Sequence, residues 1–323
     1  MACIAPAQSA YLPTIDRNLV NERALSLRSC ARIMTTDVIL RHANGDCAIL
    51  NPFGAELRRW RTNETELIWR KDPKIWDQTA PVLFPIVGWT RDNRVRVKDQ
   101  FYPLKLHGFA WKKKFSITQQ DDCSVCFTLV DDAETRRLYP FRFRFDCEVI
   151  LSAGALRFRL SVSNQDDQPL PYACGLHPAF CWPLAASSSI HSIRFEKEER
   201  PDIPLICEGG LFSSATRRIS LYDRGLSLTP DLFAQEALCF LDINSTQIIY
   251  NNGVGQSLTL ELERFPHLAL WSKAEGEFVC IETWTGYGDP ENFSGDLYEK
   301  PSMQILSPGA TQTHSATFKF QTN

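Results

Sequence analysis

In the middle of the chain, apolar and polar residues alternate strictly. Phe141, Phe143, Phe145, Cys147 and Val149 are apolar, and Arg142, Arg144, Asp146 and Glu148 lie between them. A period of two puts the two sets on opposite faces of a half-buried strand. Leu156, Phe158, Leu160 and Val162 repeat the pattern after the Ser152-Ala-Gly154 turn, as do Leu258, Leu260 and Leu262, then Phe318 and Phe320. Upstream, residues 38–42 and 47–51 predict a hairpin around Asn44-Gly45, a pair that accepts the backbone angles of a tight turn. Residues 66–69 predict another strand, and residues 72–77 a helical turn with Pro73 at its first position. Residues 80–89 are apolar but broken by Pro81 and Pro85, which predicts a buried, irregular strand. No helix-period segment of any length stands between residues 112 and 320. No repeat, low-complexity tract or flexible linker marks a boundary. The pattern predicts an all-β fold, one large antiparallel β-sandwich over residues 35–323. Residues 1–34 are set apart as an N-terminal extension, disordered or a short helix.

Composition narrows the function classes. Apolar residues make up 44% and charged residues 23% of the 323, ordinary usage for a chain able to bury a large core. The formal charge of -3 argues against a nucleic-acid partner, which needs a basic field. No apolar run approaches the length of a membrane-spanning helix. Eleven cysteines, odd in number and scattered, behave as small hydrophobes and suit a reducing cytoplasm. Cys123-Ser-Val-Cys126 has zinc or redox spacing but lacks a second half. Met1-Ala-Cys-Ile-Ala lacks the basic start and long apolar core of a secretory signal. No Gly-rich phosphate loop and no complete zinc motif is present, so neither cofactor nor metal is expected.

Three stretches carry candidate chemistry. In Gly175-Leu-His-Pro-Ala-Phe180, Pro178 biases His177 towards an extended backbone, and Phe180 and Trp182 add bulk. His177 is either a tuned acid–base group or a core histidine bonded to a backbone carbonyl. In Phe278-Val-Cys-Ile-Glu-Thr-Trp284, Glu282 interrupts a strand apolar on both faces. It is either a base whose pKa burial raises or half of an ion pair with a lysine or arginine. His107-Gly108 sets a second histidine on a glycine turn.

Taken in order, His107-Gly-Phe-Ala110, Gly175–Phe180 and Cys280-Ile-Glu-Thr-Trp284, with Pro81-Val-Leu-Phe-Pro-Ile-Val-Gly88 and Trp271-Ser-Lys273, resemble the aldose 1-epimerase (galactose mutarotase) superfamily. The resemblance is closest to its LacX-like branch and covers roughly residues 37–320. It implies a galactose-mutarotase-like sandwich and a metal-free interconversion of the α and β anomers of an aldose. By that likeness His177 matches the general acid, Glu282 the general base, and His107 a histidine that holds the ring oxygen or a hydroxyl. An acid and a base on either side of the scissile bond are expected, with room for a pyranose between them. Asp242 stands near where the family places a substrate-binding acid and is taken for that acid, and Lys273 matches a lysine common in the branch. The chain departs from the branch at Trp89, Trp111 and Thr246, each where an arginine is usual. Trp89 then joins the substrate contacts, and Arg91 or Arg94 takes over the lost charge. A phosphorylated hexose becomes a less expected substrate, since arginine is the bidentate phosphate binder. The alternatives are a non-catalytic carbohydrate-binding protein on the same fold and a hexose-6-phosphate 1-epimerase. The partner expected is a small sugar, with the chain a monomer or homodimer.

Overall fold

The computed structural model describes residues 37–322; the extension assigned to residues 1–34 lies outside them. Among the described residues there are 25 strands and one α-helix, the six-residue Ala133–Leu138 capped by Asp132. No helix among them is long and apolar enough to cross a membrane. From Val38 onward the chain forms one compact unit.

The alternating segments become the middle of a nine-stranded antiparallel sheet. Its order is Gly225–Ser227, Ser192–Phe195, Gln247–Asn251, Gln256–Glu263, Thr311–Thr322, Ala155–Asn164, Phe143–Ser152, Ser124–Val130, Ser116–Gln120. Along Phe143–Ser152 every second residue is buried, and Phe145 faces Val162 while Cys147 faces Leu160 across the ladder. A six-stranded sheet covers that apolar face. It runs Leu238–Phe240, His267–Trp271, Phe278–Trp284, Gly175–Leu176, Val82–Leu83, with Ala179–Cys181 also paired to Phe278–Trp284. Aromatic rings join the layers: Phe84 stacks on Phe145 at 4.5 Å, and Phe180 meets Phe318 edge-on at 5.4 Å. Each such side chain, fully buried, contributes about 1.5–3 kcal/mol.

Two local expectations are modified. The hairpin pairs Val38–Arg41 with Cys47–Asn51 around Asn44-Gly45. The strand expected over residues 66–69, however, contributes only Thr65–Glu66 to its hairpin. The next residues cross between sheets instead: Leu67 N–H donates to Trp60, Trp69 N–H to Ala179, and Cys181 N–H to Leu67. Their backbone groups thereby find partners in two sheets. Residues 72–77 form a single turn, with the N–H groups of Ile75 and Trp76 both donating to the Asp72 carbonyl. It projects Trp76 over the open face of the six-stranded sheet.

That open face is the other side of the strand Phe278–Trp284, all seven of whose residues are buried. Val279 and Ile281 enter the main core. Phe278, Cys280, Glu282 and Trp284 point the other way, towards a second set of aromatic rings.

Candidate active site

Strand register brings the two central residues together. The ladder pairs Gly175 with Trp284 and Leu176 with Thr283, then resumes with Ala179 against Cys280 and Phe180 against Val279. Carried through the gap, the register sets His177 directly across from Glu282. Pro178, without an N–H, interrupts the hydrogen bonding but not the alignment, and its carbonyl accepts from Ile281 N–H at 3.3 Å. Cross-strand neighbours have Cβ atoms about 4.5–5.5 Å apart, close enough for these side chains to touch. His177 Nε2 lies 3.2 Å from Glu282 Oε1. On the other flank Glu282 faces Ala269, which in turn faces Cys239. The small alanine leaves space above the carboxylate.

The two side chains are therefore in contact, with no room for a pyranose between them. This corrects the expectation of groups on opposite sides of the bond. Its cause is the shared register, which makes the two residues ladder neighbours.

Glu282 is 2% exposed and His177 7%. The indole N–H of Trp284 donates to Glu282 Oε2 at 3.2 Å, and no lysine or arginine pairs with the carboxylate among the described residues. Burial pushes the Glu282 carboxyl well above its usual range. Burial, and then the nearby His107, push the His177 imidazole well below its own. Both shifts favour one arrangement, a protonated carboxyl beside a neutral ring. His177 Nδ1 is buried with no hydrogen-bond partner among the described residues.

His107 is held differently. Its N–H donates to the Gly88 carbonyl at 3.0 Å, and the Gly88 N–H returns to His107 Nδ1 at 3.1 Å. An Nδ1 that accepts leaves the ring proton on Nε2. Burial depresses this histidine to about 3, so it stays neutral. Its ring stands perpendicular to that of His177 with centroids 5.6 Å apart. The turn requires a glycine: Gly108 has φ +70°, and a Cβ there would lie 2.4 Å from the Phe84 carbonyl oxygen.

These groups sit in a cleft of about 980 Å³ into which Trp76, Trp89, Trp111, Trp271 and Trp284 all project. Trp76 lies 5.1 Å and Trp271 5.8 Å from His177, ring centroid to centroid. Lys273 lines the cleft and donates from Nζ to the Ile75 carbonyl at 2.5 Å, tying down the Trp76 turn. Arg91 also lines it, and Trp89 packs against Gly210, where a Cβ would fall 1.9 Å from the indole.

Of the residues picked out by sequence, His107, His177, Glu282, Trp89, Arg91 and Lys273 share this cleft. Arg94 does not: it lies in a smaller adjoining pocket. Asp242 does not line it either. The Asp242 side chain is exposed just beyond the strand Leu238–Phe240, 3.8 Å from His267 Nδ1, and its backbone N–H donates to that atom. Thr246 is spent on Glu196, to which its N–H and Oγ1 both donate. Trp76 was not singled out as a site residue. Its one sequence signal is a large aromatic in a short polar turn, the kind of loop position that often serves binding. Among the described residues no cluster of three His, Cys, Asp or Glu side chains is arranged to hold a metal ion, Cys123 and Cys126 included.

Comparison with known proteins identifies the family. The family model described as aldose 1-epimerase matches residues 36–319. The chromosomal LacX protein of Lactococcus lactis is 28% identical over 262 residues, 77% of this chain and 88% of its own length. A galactose mutarotase related enzyme from Lactobacillus acidophilus superposes with a TM-score of 0.82 at 26% identity, covering 89% of this chain and 98% of that one. A galactose mutarotase-like protein from Lactobacillus casei gives the same TM-score and identity over 88% of this chain and 100% of its own. The match extends over nearly every described strand and over all three motifs around the cleft, and so the chain belongs to the aldose 1-epimerase family, in its LacX-like branch.

Proposed function

We propose that this protein is a cofactor-independent aldose 1-epimerase that interconverts the α and β anomers of an aldose by acid–base opening of the ring. The observation that carries this reading is the 3.2 Å contact between His177 Nε2 and Glu282 Oε1 on the floor of a tryptophan-walled cleft. Family membership supports the coarser part, a sugar epimerase of mutarotase type.

The chemistry suits adjacent groups. The C1 hydroxyl oxygen and the ring oxygen are bonded to the same carbon, so an acid and a base side by side reach both. Passage of the carboxyl proton from Glu282 to His177 forms the reactive ion pair; the Glu282 carboxylate then takes the hydroxyl proton, the bond from C1 to the ring oxygen breaks, and the His177 imidazolium protonates that oxygen, which returns the pair to its resting state. The open-chain aldehyde turns about its C1–C2 bond. The two transfers then run backwards on the other face. Opening converts a buried ion pair into a protonated carboxyl and a neutral imidazole, the arrangement burial favours. His107, fixed as an Nε2–H donor, supplies a hydrogen bond to a sugar oxygen. Trp76 and Trp271 offer apolar faces to the C–H side of the ring.

Polarimetry on freshly dissolved α-glucose and α-galactose tests the reading. The protein should speed the approach to anomeric equilibrium, and His177→Asn should remove at least about a hundredfold of that rate. A wild-type protein that binds sugar but leaves the rate unchanged would favour the carbohydrate-binding alternative.

A further inference from the structure

Beside the cleft, and sharing only Arg91 and Asp92 with it, lies a second cavity of about 120 Å³. A hairpin builds one wall. Arg94–Val97 alternates so that Val95 and Val97 are buried while Arg94 and Arg96 share the opposite face. Its partner strand Gln100–Pro103 sets Phe101 across from Arg96. The Arg94 guanidinium lies over the Phe101 ring at 4.3 Å from its centroid. The other wall is the loop at Phe293–Gly295, whose Phe293 carbonyl accepts from Arg91 Nε at 3.0 Å.

The charge here is unbalanced. Arg91, Arg94, Arg96 and Lys300 line the cavity against Asp92 and Asp289. Both acids are already engaged: Asp289 with Lys300 at 2.7 Å and with the Arg91 backbone N–H, Asp92 with Arg94 at 3.1 Å. Arg91 has no acidic partner among the described residues, and the Arg96 side chain makes neither ion pair nor hydrogen bond to any of them. Arg96 Nε is buried as well as unpartnered. Two arginines thus line one small cavity, each with guanidinium donors free, and one of them is partly dehydrated. A buried donor left unmatched is costly, and a fork of N–H groups matches an oxyanion.

From this we infer that the cavity is a binding site for a small tetrahedral oxyanion, held between Arg91 and Arg96. The anion is phosphate, either free or carried by a sugar lying in the adjoining cleft. The site does not depend on the epimerase reading, since it shares none of His107, His177 or Glu282.

Titration of the full chain with inorganic phosphate at low ionic strength, followed by calorimetry, tests it. Saturable one-to-one binding is expected, weakened at least about tenfold in Arg96→Ala. Arg96→Lys should retain part of it, because it keeps the charge and loses the fork. Far-ultraviolet dichroism checks that each variant folds. If Arg96→Ala does not fold, the lysine variant and the wild-type titration decide. An aldose 6-phosphate that displaces phosphate while the neutral aldose does not would identify the sugar's own phosphate as the ligand. Displacement by neither leaves free phosphate as the ligand. Epimerisation of a neutral aldose should be unchanged in Arg96→Ala. No saturable binding to the wild type, or equal affinity in wild type and Arg96→Ala, overturns the inference.

Discussion

Replacing Glu282 by glutamine separates catalysis from stability. The amide is nearly isosteric, and its oxygen can still accept from Trp284 Nε1–H, which now donates to the carboxylate at 3.2 Å. What it cannot do is take the proton of the C1 hydroxyl. A positioned proton transfer is worth about 10²–10⁴-fold, or about 2.7–5.5 kcal/mol of barrier, and the loss in kcat should fall in that range. Stability should move the other way. Burial raises the Glu282 pKa above the 4.5 of an ordinary glutamate, so at low pH the folded state binds a proton that the unfolded state releases sooner as pH rises. The wild type therefore loses stability as pH rises from about 4.5 towards the folded pKa. A glutamine at the same place loses none. E282Q should be at least as stable as wild type at pH 7, with its advantage vanishing near pH 4. Polarimetry gives the rate, and urea denaturation at both pH values gives the stability. Turnover within tenfold of wild type would refute the assignment of the base. An E282Q protein clearly less stable at pH 7 would refute the account of its burial.

Three further outcomes follow from the same geometry. Because burial depresses His107 from 6.5 to about 3, its contribution to stability is present above pH 6.5 and lost as pH falls towards 3; His107→Gln should flatten the acid limb of a stability–pH curve. An acid limb as steep as wild type would sink that reading. Gly108→Ala forces a Cβ onto the Phe84 carbonyl at a positive φ and should cost about 1–3 kcal/mol in urea denaturation, with His107 displaced. Lys273→Met frees the Trp76 turn and should raise KM while sparing kcat; a fall in kcat at unchanged KM would instead give the lysine a direct part in the chemistry.

How much of this is legible in the sequence depends on the range of the interaction. Phe143–Ser152 and Ala155–Asn164 are plain from alternation, because each strand's period reports its own burial. Residues 67–69 mislead the same test: they are apolar enough for a strand, but their hydrogen bonds are divided between two sheets, a tertiary fact with no local period. The site divides along the same line. Glu282 stands out because a carboxylate in a strand buried on both faces is chemically conspicuous, and His177 because Pro178 and Phe180 confine it. That they are ladder neighbours is not legible, since the register is fixed by pairing between segments far apart in the chain. Asp242 shows the converse error, where loose likeness in a motif put an acid near the sugar and the chain's turn past Phe240 carried it out to solvent.

The same register explains why so costly a pair is tolerated. A lone carboxylate at the position of Glu282 would sit among Cys280, Ala269 and Trp284 with little to solvate it. His177 Nε2 lies against one carboxyl oxygen and the Trp284 indole donates to the other, so the pair is buried without net charge. The flanking ladder residues Val279 and Ile281 are fully buried in the main core and hold the strand whether or not the pair is ionised. Chemistry and packing thus occupy alternate positions of one strand. For this reason a substitution at Glu282 should change the reaction while leaving the fold in place, whereas shortening Ile281 to alanine should cost about 2–5 kcal/mol of stability before it touches the proton transfers.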